Sequence, residues 1–228
     1  MSEQTLSRIA GMTILVAAVL AAALTAVELV TSPYNPYVSL YALDGPVHLA
    51  KYVAMLTLLV ALPAAYIAQR TTAGRLGLVG LVLVLAGLGL AGTPYNVMEM
   101  SLAPSLSIAE ANAEWEALWS EATLLGVMGG IGFLGVIIGV VSFAIASRRA
   151  GGAFRHAANA SLTGLGVGFA SMFLGSLLPG LVPHGPTWIL LGLAAYGVAV
   201  LRATPPIGDP VRRELASGRE PASGRQPA

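Results

Sequence analysis

The stretch that decides the fold is residues 9–30, IAGMTILVAAVLAAALTAVELV, in which Glu28 is the only ionisable residue. A helix of this length rises about 33 Å, enough to cross the hydrocarbon core of a bilayer. The run is longer than the apolar part of a secretory signal peptide, which has about 7–15 residues. We therefore interpret it as a retained first transmembrane helix.

Five further apolar runs follow, and together the six predict an all-α, polytopic membrane protein built as three antiparallel hairpins. The composition agrees, because 56% of the residues are hydrophobic and 10% are charged, whereas a soluble domain carries about 25% charged residues. The predicted spans are about residues 9–30, 47–69, 76–93, 122–146, 157–178 and 187–201. Residues 202–228, rich in Pro, Gly, Ser, Arg and Glu, predict a disordered cytoplasmic tail.

Proline and capping residues predict where the helices start, bend and stop. Asp44 is the expected N-cap of the second helix, and Pro63 is expected to kink that helix. Pro94 is expected to end the third span, with residues 95–106 irregular.

A short amphipathic helix is predicted on the outer side, before the fourth span. Ser107 and Glu110 have the spacing of a capping box, and Trp115 lies on the apolar face of the helix that follows. This segment would anchor at the membrane interface, or alternatively act as a lid or docking surface.

Charge asymmetry predicts the orientation. The positive-inside rule places both termini in the cytoplasm, because one side of the predicted bundle carries nearly all the basic residues: Arg8, Arg70, Arg75, Arg148, Arg149, Arg155, Arg202 and the arginines of the tail. The other side carries most of the acids and all three tryptophans. Eleven of the twelve basic residues are Arg, a bias that indicates a GC-rich, bacterial genome. The expected location is therefore the bacterial cell membrane.

Small residues predict how the spans pack. Gly135 and Gly139 form a GxxxG pattern in the fourth span, and Gly164 and Gly168 form one in the fifth. Close approach at small residues drives helix association in membranes, so we expect the fourth and fifth spans to cross here. The same motifs would also suit a homo-oligomer.

Two matching tetrapeptides, SPYN at 32–35 and TPYN at 93–96, each follow an apolar run. If both runs cross the membrane in the same direction, the tetrapeptides lie at the same outer layer. Glu28 and Glu99, which flank them, would then lie in that layer too. A carboxylate at this depth is costly unless it has a partner or a function.

The predicted chemistry is acid/base catalysis or binding by Glu28, Glu99 and His48, with Asp44 one helical turn before His48 to orient its ring. The expected ligand is a small lipophilic, isoprenoid-like molecule. The expected binding residues are Tyr34, Tyr95, Asn35, Asn96, Tyr52 and Trp115.

Two other interpretations stay open for these residues. In the first, a metal site would be formed by Glu28, His48, Glu99 and His184, although their spacing matches no known metal motif. The sequence around His184 is equally typical of a solvated loop residue. Alternatively, Glu28 simply pairs with Lys51. No organic cofactor is predicted. The histidines lie near helix ends, whereas haem ligands usually lie within the helices, and Lys51 is too close to the end of its helix to carry retinal.

Two function classes follow. The first is a membrane-embedded enzyme or binding protein with an outward-facing site. The second is a non-catalytic transport or accessory subunit of a membrane complex. The formal net charge of +1 argues against a nucleic-acid partner, and no motif is specific enough to indicate a family.

Overall fold

The computed structural model describes residues 2–31, 41–102, 107, 110, 113, 124–178, 182 and 185–204. These residues form helices and connections without a strand. The α-helices are α1 (Glu3–Thr31), α2 (Asp44–Ala61), α3 (Pro63–Ile67), α4 (Arg70–Leu102), α5 (Leu124–Ala150), α6 (Gly152–Leu177) and α7 (Gly185–Ala203). A 3₁₀ turn, Tyr41–Leu43, leads into α2.

Six helical segments in the described ranges are long and apolar enough to cross a membrane, with α2 and α3 counting as one. The prediction of six spans is therefore confirmed. The sidedness of the termini and the hairpin topology stay predictions. Helix α1 packs against α2 and α7, α2 against α4, α4 against α5, and α6 against both α5 and α7.

Helix α1 shows why this sequence suits a membrane rather than water. Its buried face carries small side chains such as Ala17, Ala18 and Ala21, while Val16 and Leu20 are exposed. Because lipid tails are as apolar as these exposed side chains, helices associate through close packing of small residues. The pattern changes in the last turn of α1, where the buried residue is Glu28.

Proline and glycine mark the breaks in the next two elements. The helix predicted over 47–69 is interrupted at Leu62, immediately before Pro63, where proline supplies no backbone N–H. The kink itself stays a prediction. Gly74 has φ of 55°, in the left-handed region that glycine tolerates. This residue turns the chain between the α3 segment and the long apolar part of α4.

The expectation that Pro94 ends the third span was wrong. Helix α4 continues through Pro94 to Leu102, so most of the predicted irregular segment, residues 95–106, is helical. Proline removes one backbone hydrogen bond, but packed neighbours in a membrane protein tolerate such a break. The consequence is that Tyr95, Asn96 and Glu99 belong to α4.

The predicted contact partner of the glycine motif was also wrong. A Cβ added at Gly139 would lie 2.5 Å from the Val84 nitrogen, so this glycine contacts α4 rather than α6. Gly80 and Gly87 of α4 approach α5 just as closely. Gly164 likewise packs on α7, where an added Cβ would meet the Trp188 carbonyl. The GxxxG pattern indicated close packing but carried no information about the partner.

The capping box predicted at Ser107 and Glu110 is confirmed. The backbone N–H and the hydroxyl of Ser107 both donate to Glu110 Oε2, at 2.8 and 2.7 Å. In return, the Glu110 N–H donates to the Ser107 hydroxyl at 3.4 Å. These donors lower the pKa of the exposed Glu110 carboxyl from its ordinary value.

Candidate functional site

Four ionisable side chains are buried together where the last turn of α1 meets the first two turns of α2. Glu28 and Lys51 are each 4% exposed, and Asp44 and His48 are fully buried. We call these four residues the outer cluster, after the side of the membrane that the charge pattern of the sequence predicts for them. Burial of ionised groups costs several kcal/mol each unless they are paired, so their contacts decide what the cluster can do.

Glu28 is the centre of the cluster. Its Oε1 accepts a hydrogen bond from the Lys51 ammonium, which confirms the pairing that the sequence offered as the simpler interpretation. The same oxygen lies 3.3 Å from Nε2 of His48. Glu28 therefore contacts both the only lysine of the chain and the imidazole, across the α1–α2 interface.

His48 lies between two carboxylates. Its Nδ1 donates to the Asp44 main-chain carbonyl at 3.0 Å and lies 3.4 Å from Asp44 Oδ1. Its Nε2 faces Glu28 but makes no hydrogen bond in this geometry. The predicted orienting role of Asp44 is thus performed by the backbone carbonyl, because that atom gives the shorter and better aligned contact.

Asp44 is not the N-cap that the sequence suggested. The cap position is Leu43, without a side-chain capping bond, and Asp44 is the first residue of α2. Both carboxylate oxygens of Asp44 are buried and have no hydrogen-bond partner among the described residues. This carboxylate is consequently the least satisfied group of the cluster.

Helix α4 contributes Tyr95 because it continues past Pro94. The Tyr95 ring packs edge-on against the His48 ring, with centroids 5.3 Å apart. The Lys51 ammonium lies over the same ring, 4.9 Å from its centroid, a cation–π distance. Tyr95, predicted as a binding residue, therefore forms the wall of the outer cluster on the α4 side.

Asn96, the next residue of α4, is also buried. Its side-chain amide donates to the Gly92 carbonyl at 2.6 Å, one turn back, and approaches Met55 Sδ at 3.5 Å. The contact with Met55 links α4 to α2. The predicted binding role is therefore limited to the side-chain oxygen, which has no partner among the described residues.

The remaining predicted site residues are not brought into the cluster by anything described. Tyr52 is half-buried on α2. Glu99 is part of α4, but its side chain lies outside the described residues, as do Tyr34, Asn35, Trp115 and His184. Among described side chains, no group of three or more His, Asp or Glu residues is arranged to hold a metal ion. The metal interpretation therefore stays a hypothesis without support from this geometry.

Lys51 is the residue whose role was underestimated from sequence. It was interpreted as a structural partner, yet it contacts both Glu28 and the Tyr95 ring. The available signal was its uniqueness, since it is the only lysine among twelve basic residues. A lone lysine on the side opposite the arginines is expected to serve a particular acid.

Comparison of the chain with protein-family models, curated proteins and solved structures gives no match. A functional proposal for this protein therefore has to rest on the geometry of the outer cluster.

Proposed function

We propose that this protein is a multi-pass protein of the bacterial cell membrane that binds or transforms a small lipophilic molecule by acid/base chemistry at the outer cluster. The observation that carries the proposal is the imidazole of His48, buried between the carboxylates of Glu28 and Asp44. Ionisable groups inside a membrane protein usually mark a functional site, and this one combines an acid/base residue with carboxylates on both sides.

The distribution of charge supports an extracytoplasmic location for the cluster. Arginines lie at the ends of the spans opposite to Glu28, including Arg8 in the second turn of α1 and Arg148 and Arg149 in the last turn of α5. The positive-inside rule then assigns both termini to the cytoplasm. The end of α1 and the start of α2 would face the outer leaflet.

The geometry suggests distinct roles for three residues. Glu28 is the proton acceptor, held in position by the hydrogen bond from the ammonium of Lys51. His48 exchanges a proton with the bound molecule through Nε2, because its Nδ1 is committed to the Asp44 carbonyl. The 3.3 Å contact between His48 and Glu28 would tighten when a ligand is bound, as catalytic contacts often do.

Replacement of the acid/base residues tests the proposal. The full chain would be purified in nanodiscs, and its thermal unfolding measured with and without a total lipid extract of bacterial membranes. Stabilisation by the extract should be lost in Glu28→Gln and in His48→Asn. Glu3→Gln, which changes an exposed acid at the opposite end of α1, is the matched control.

The two variants differ in how strongly they are expected to destabilise the fold. Glu28→Gln leaves the Lys51 ammonium without its carboxylate and could unfold the protein, whereas His48→Asn keeps both charges of the pair. If folded His48→Asn responds to the extract as the wild type does, acid/base binding at this cluster is refuted.

A non-catalytic subunit is the second candidate, and one observation favours it. Lys51 already pairs with Glu28 and lies over Tyr95, so the cluster would hold α1, α2 and α4 together without a ligand. In that case the variants above would change stability but not the response to the extract.

A further inference from the structure

We infer that the ligand of the outer cluster is a lipophilic amine, with its ammonium group at Asp44 and its apolar tail in a groove between α1 and α2. This inference rests on the proposed function and specifies the class of molecule that the site accepts. It is carried by two independent observations, the unpartnered carboxylate of Asp44 and the position of the groove.

The first observation is a deficit of donors at Asp44. The carboxylate is fully buried, and neither oxygen has a hydrogen-bond partner among the described residues. The Lys51 ammonium is bonded to Glu28. His48 Nδ1 lies 3.4 Å from Asp44 Oδ1 but donates to the Asp44 main-chain carbonyl. A buried carboxylate without donors is strongly destabilising, so the geometry favours a donor supplied by a ligand.

The charge balance indicates that this donor is cationic. By formal count, with histidine taken as neutral, the cluster holds two acidic residues, Glu28 and Asp44, and one basic residue, Lys51, which is a formal excess of one negative charge. Asp44 lies at the start of α2, where the helix dipole is equivalent to roughly half a positive charge. Glu28, in the last turn of α1, faces a dipole end of roughly equal and opposite sign, so the excess remains.

Other ligand chemistries satisfy the cluster less well. An anion would meet two carboxylates and is excluded by repulsion. A neutral hydroxyl compound would supply a hydrogen bond but leave the excess charge in place. An ammonium group supplies hydrogen-bond donors and a positive charge. The Tyr95 ring at the wall of the cluster is a surface that cations favour.

The second observation is an apolar groove on the same helix pair. It has a volume of about 550 Å³ and is lined by α1 and α2, including Val16, Ala17, Leu20, Val53 and Ala54. Val16 and Val53 are each 55% exposed, so the groove opens toward the lipid. An apolar tail would reach it directly from the membrane.

The groove runs toward the outer cluster. Glu28 lies about three helical turns beyond Ala17, on nearly the same side of α1. On α2, Lys51 lies about one turn before Ala54. The far end of the groove, at Thr57, is roughly 20 Å from Asp44 along α2. This juxtaposition suits a single-chain amphiphile, with its head in the cluster and its tail in the groove.

Probes that share a tail and differ in the head group test the assignment. Dodecylamine, dodecanol and dodecanoate would be added below their micellar concentrations to the full chain in phosphatidylcholine nanodiscs, and binding measured from thermal stabilisation. We expect dodecylamine to bind most tightly and dodecanoate least. Asp44→Asn should weaken dodecylamine by about tenfold or more and leave dodecanol unchanged, with Glu3→Gln as the control.

A pair of tryptophan variants tests the tail. Val16→Trp fills the groove and should weaken dodecylamine but not butylamine, which has too short a tail to reach it. Val60→Trp places the same side chain at an 82% exposed position of α2 that does not line the groove, and should change neither. The Val16 variant keeps all four charges, so it remains informative if Asp44→Asn fails to fold.

The outcomes separate this inference from the proposed function. Equal binding of the three probes, in both wild type and Asp44→Asn, would overturn the ammonium assignment while leaving a lipophilic site in place. Failure of all three probes would overturn the inference even if the lipid extract still stabilises the wild type through His48. Amine selectivity that depends on Asp44 would support it.

Discussion

Helix α4 packs against its two neighbours in opposite ways. On the α5 side, Gly80 and Gly87 approach the partner backbone so closely that an added Cβ would lie 2.5 Å from a nitrogen atom. On the α2 side, α4 presents Tyr95 to a histidine and a lysine. The first interface consists of backbone contacts, while the second surrounds buried charge.

The difference shows that close apolar packing can hold this bundle together without buried charge. Close apolar packing is sufficient to associate helices in a membrane, and the α4–α5 interface shows that this chain uses it. Buried ion pairs are often no more stable than apolar groups of the same volume. The outer cluster is therefore difficult to explain as a device for stability alone, which is the physical basis for assigning it a function.

The largest expected effect comes from breaking the buried pair on one side. Lys51→Met should destabilise the protein by about 3–5 kcal/mol, because Glu28 is left as an uncompensated buried charge. Thermal or denaturant unfolding of the full chain in nanodiscs or mild detergent would measure the change.

The double variant Glu28→Gln, Lys51→Met sharpens the comparison. It removes both charges, so we expect most of the lost stability to return while the response to lipophilic ligands stays lost. If the double variant is as unstable as Lys51→Met, the cluster contributes to stability and the contrast with the α4–α5 interface fails.

A smaller effect is expected at the glycine interface. Gly139→Ala should cost about 1–3 kcal/mol, as over-packing does in a tight core, because the new methyl group meets the backbone of α4 at Val84. Ligand binding at the outer cluster should be unaffected in the fraction that remains folded. Unfolding measurements on the same preparation would give both values.

Gly130→Ala is the matched control on the same helix. An added Cβ at Gly130 meets no atom within 4 Å, so the substitution should be neutral or slightly stabilising through helix propensity. Equal destabilisation by the two substitutions would mean that the close approach seen at Gly139 does not determine stability.

The number of spans could be predicted from sequence because it depends on run length and composition, which are local properties. The partner of each helix could not. Gly139 was expected to face the fifth span, yet it faces α4, because a small-residue motif specifies how closely helices approach and not which helix arrives. The expectation that Pro94 ends a helix was wrong for a related reason, because packing against neighbouring helices determines whether a helix continues through a proline.

The candidate site was predictable to a similar degree. The equal depth of two helix ends was expected to bring Glu28 and Glu99 into one layer, with His48 as their partner and Asp44 beside it. The structure places Glu28 and Asp44 against His48. The position of Lys51 over Tyr95 depends on α4 continuing through Pro94, which the sequence did not reveal. Glu99 remains a prediction.

The smallest expected effect concerns Glu110, the exposed counterpart of Glu28. Ser107 donates two hydrogen bonds to its carboxylate and lowers its pKa, so the folded form holds the proton less tightly than the unfolded chain. The contribution to stability is therefore complete above the unfolded pKa and is lost as pH falls through the folded pKa.

Ser107→Ala removes the hydroxyl donor and should move the Glu110 pKa back toward its ordinary value, as measured by carbon NMR of the carboxyl group. Because water solvates this carboxylate, global unfolding should barely change, in contrast to Lys51→Met. A large loss of stability in Ser107→Ala would show that burial is not what distinguishes the two glutamates.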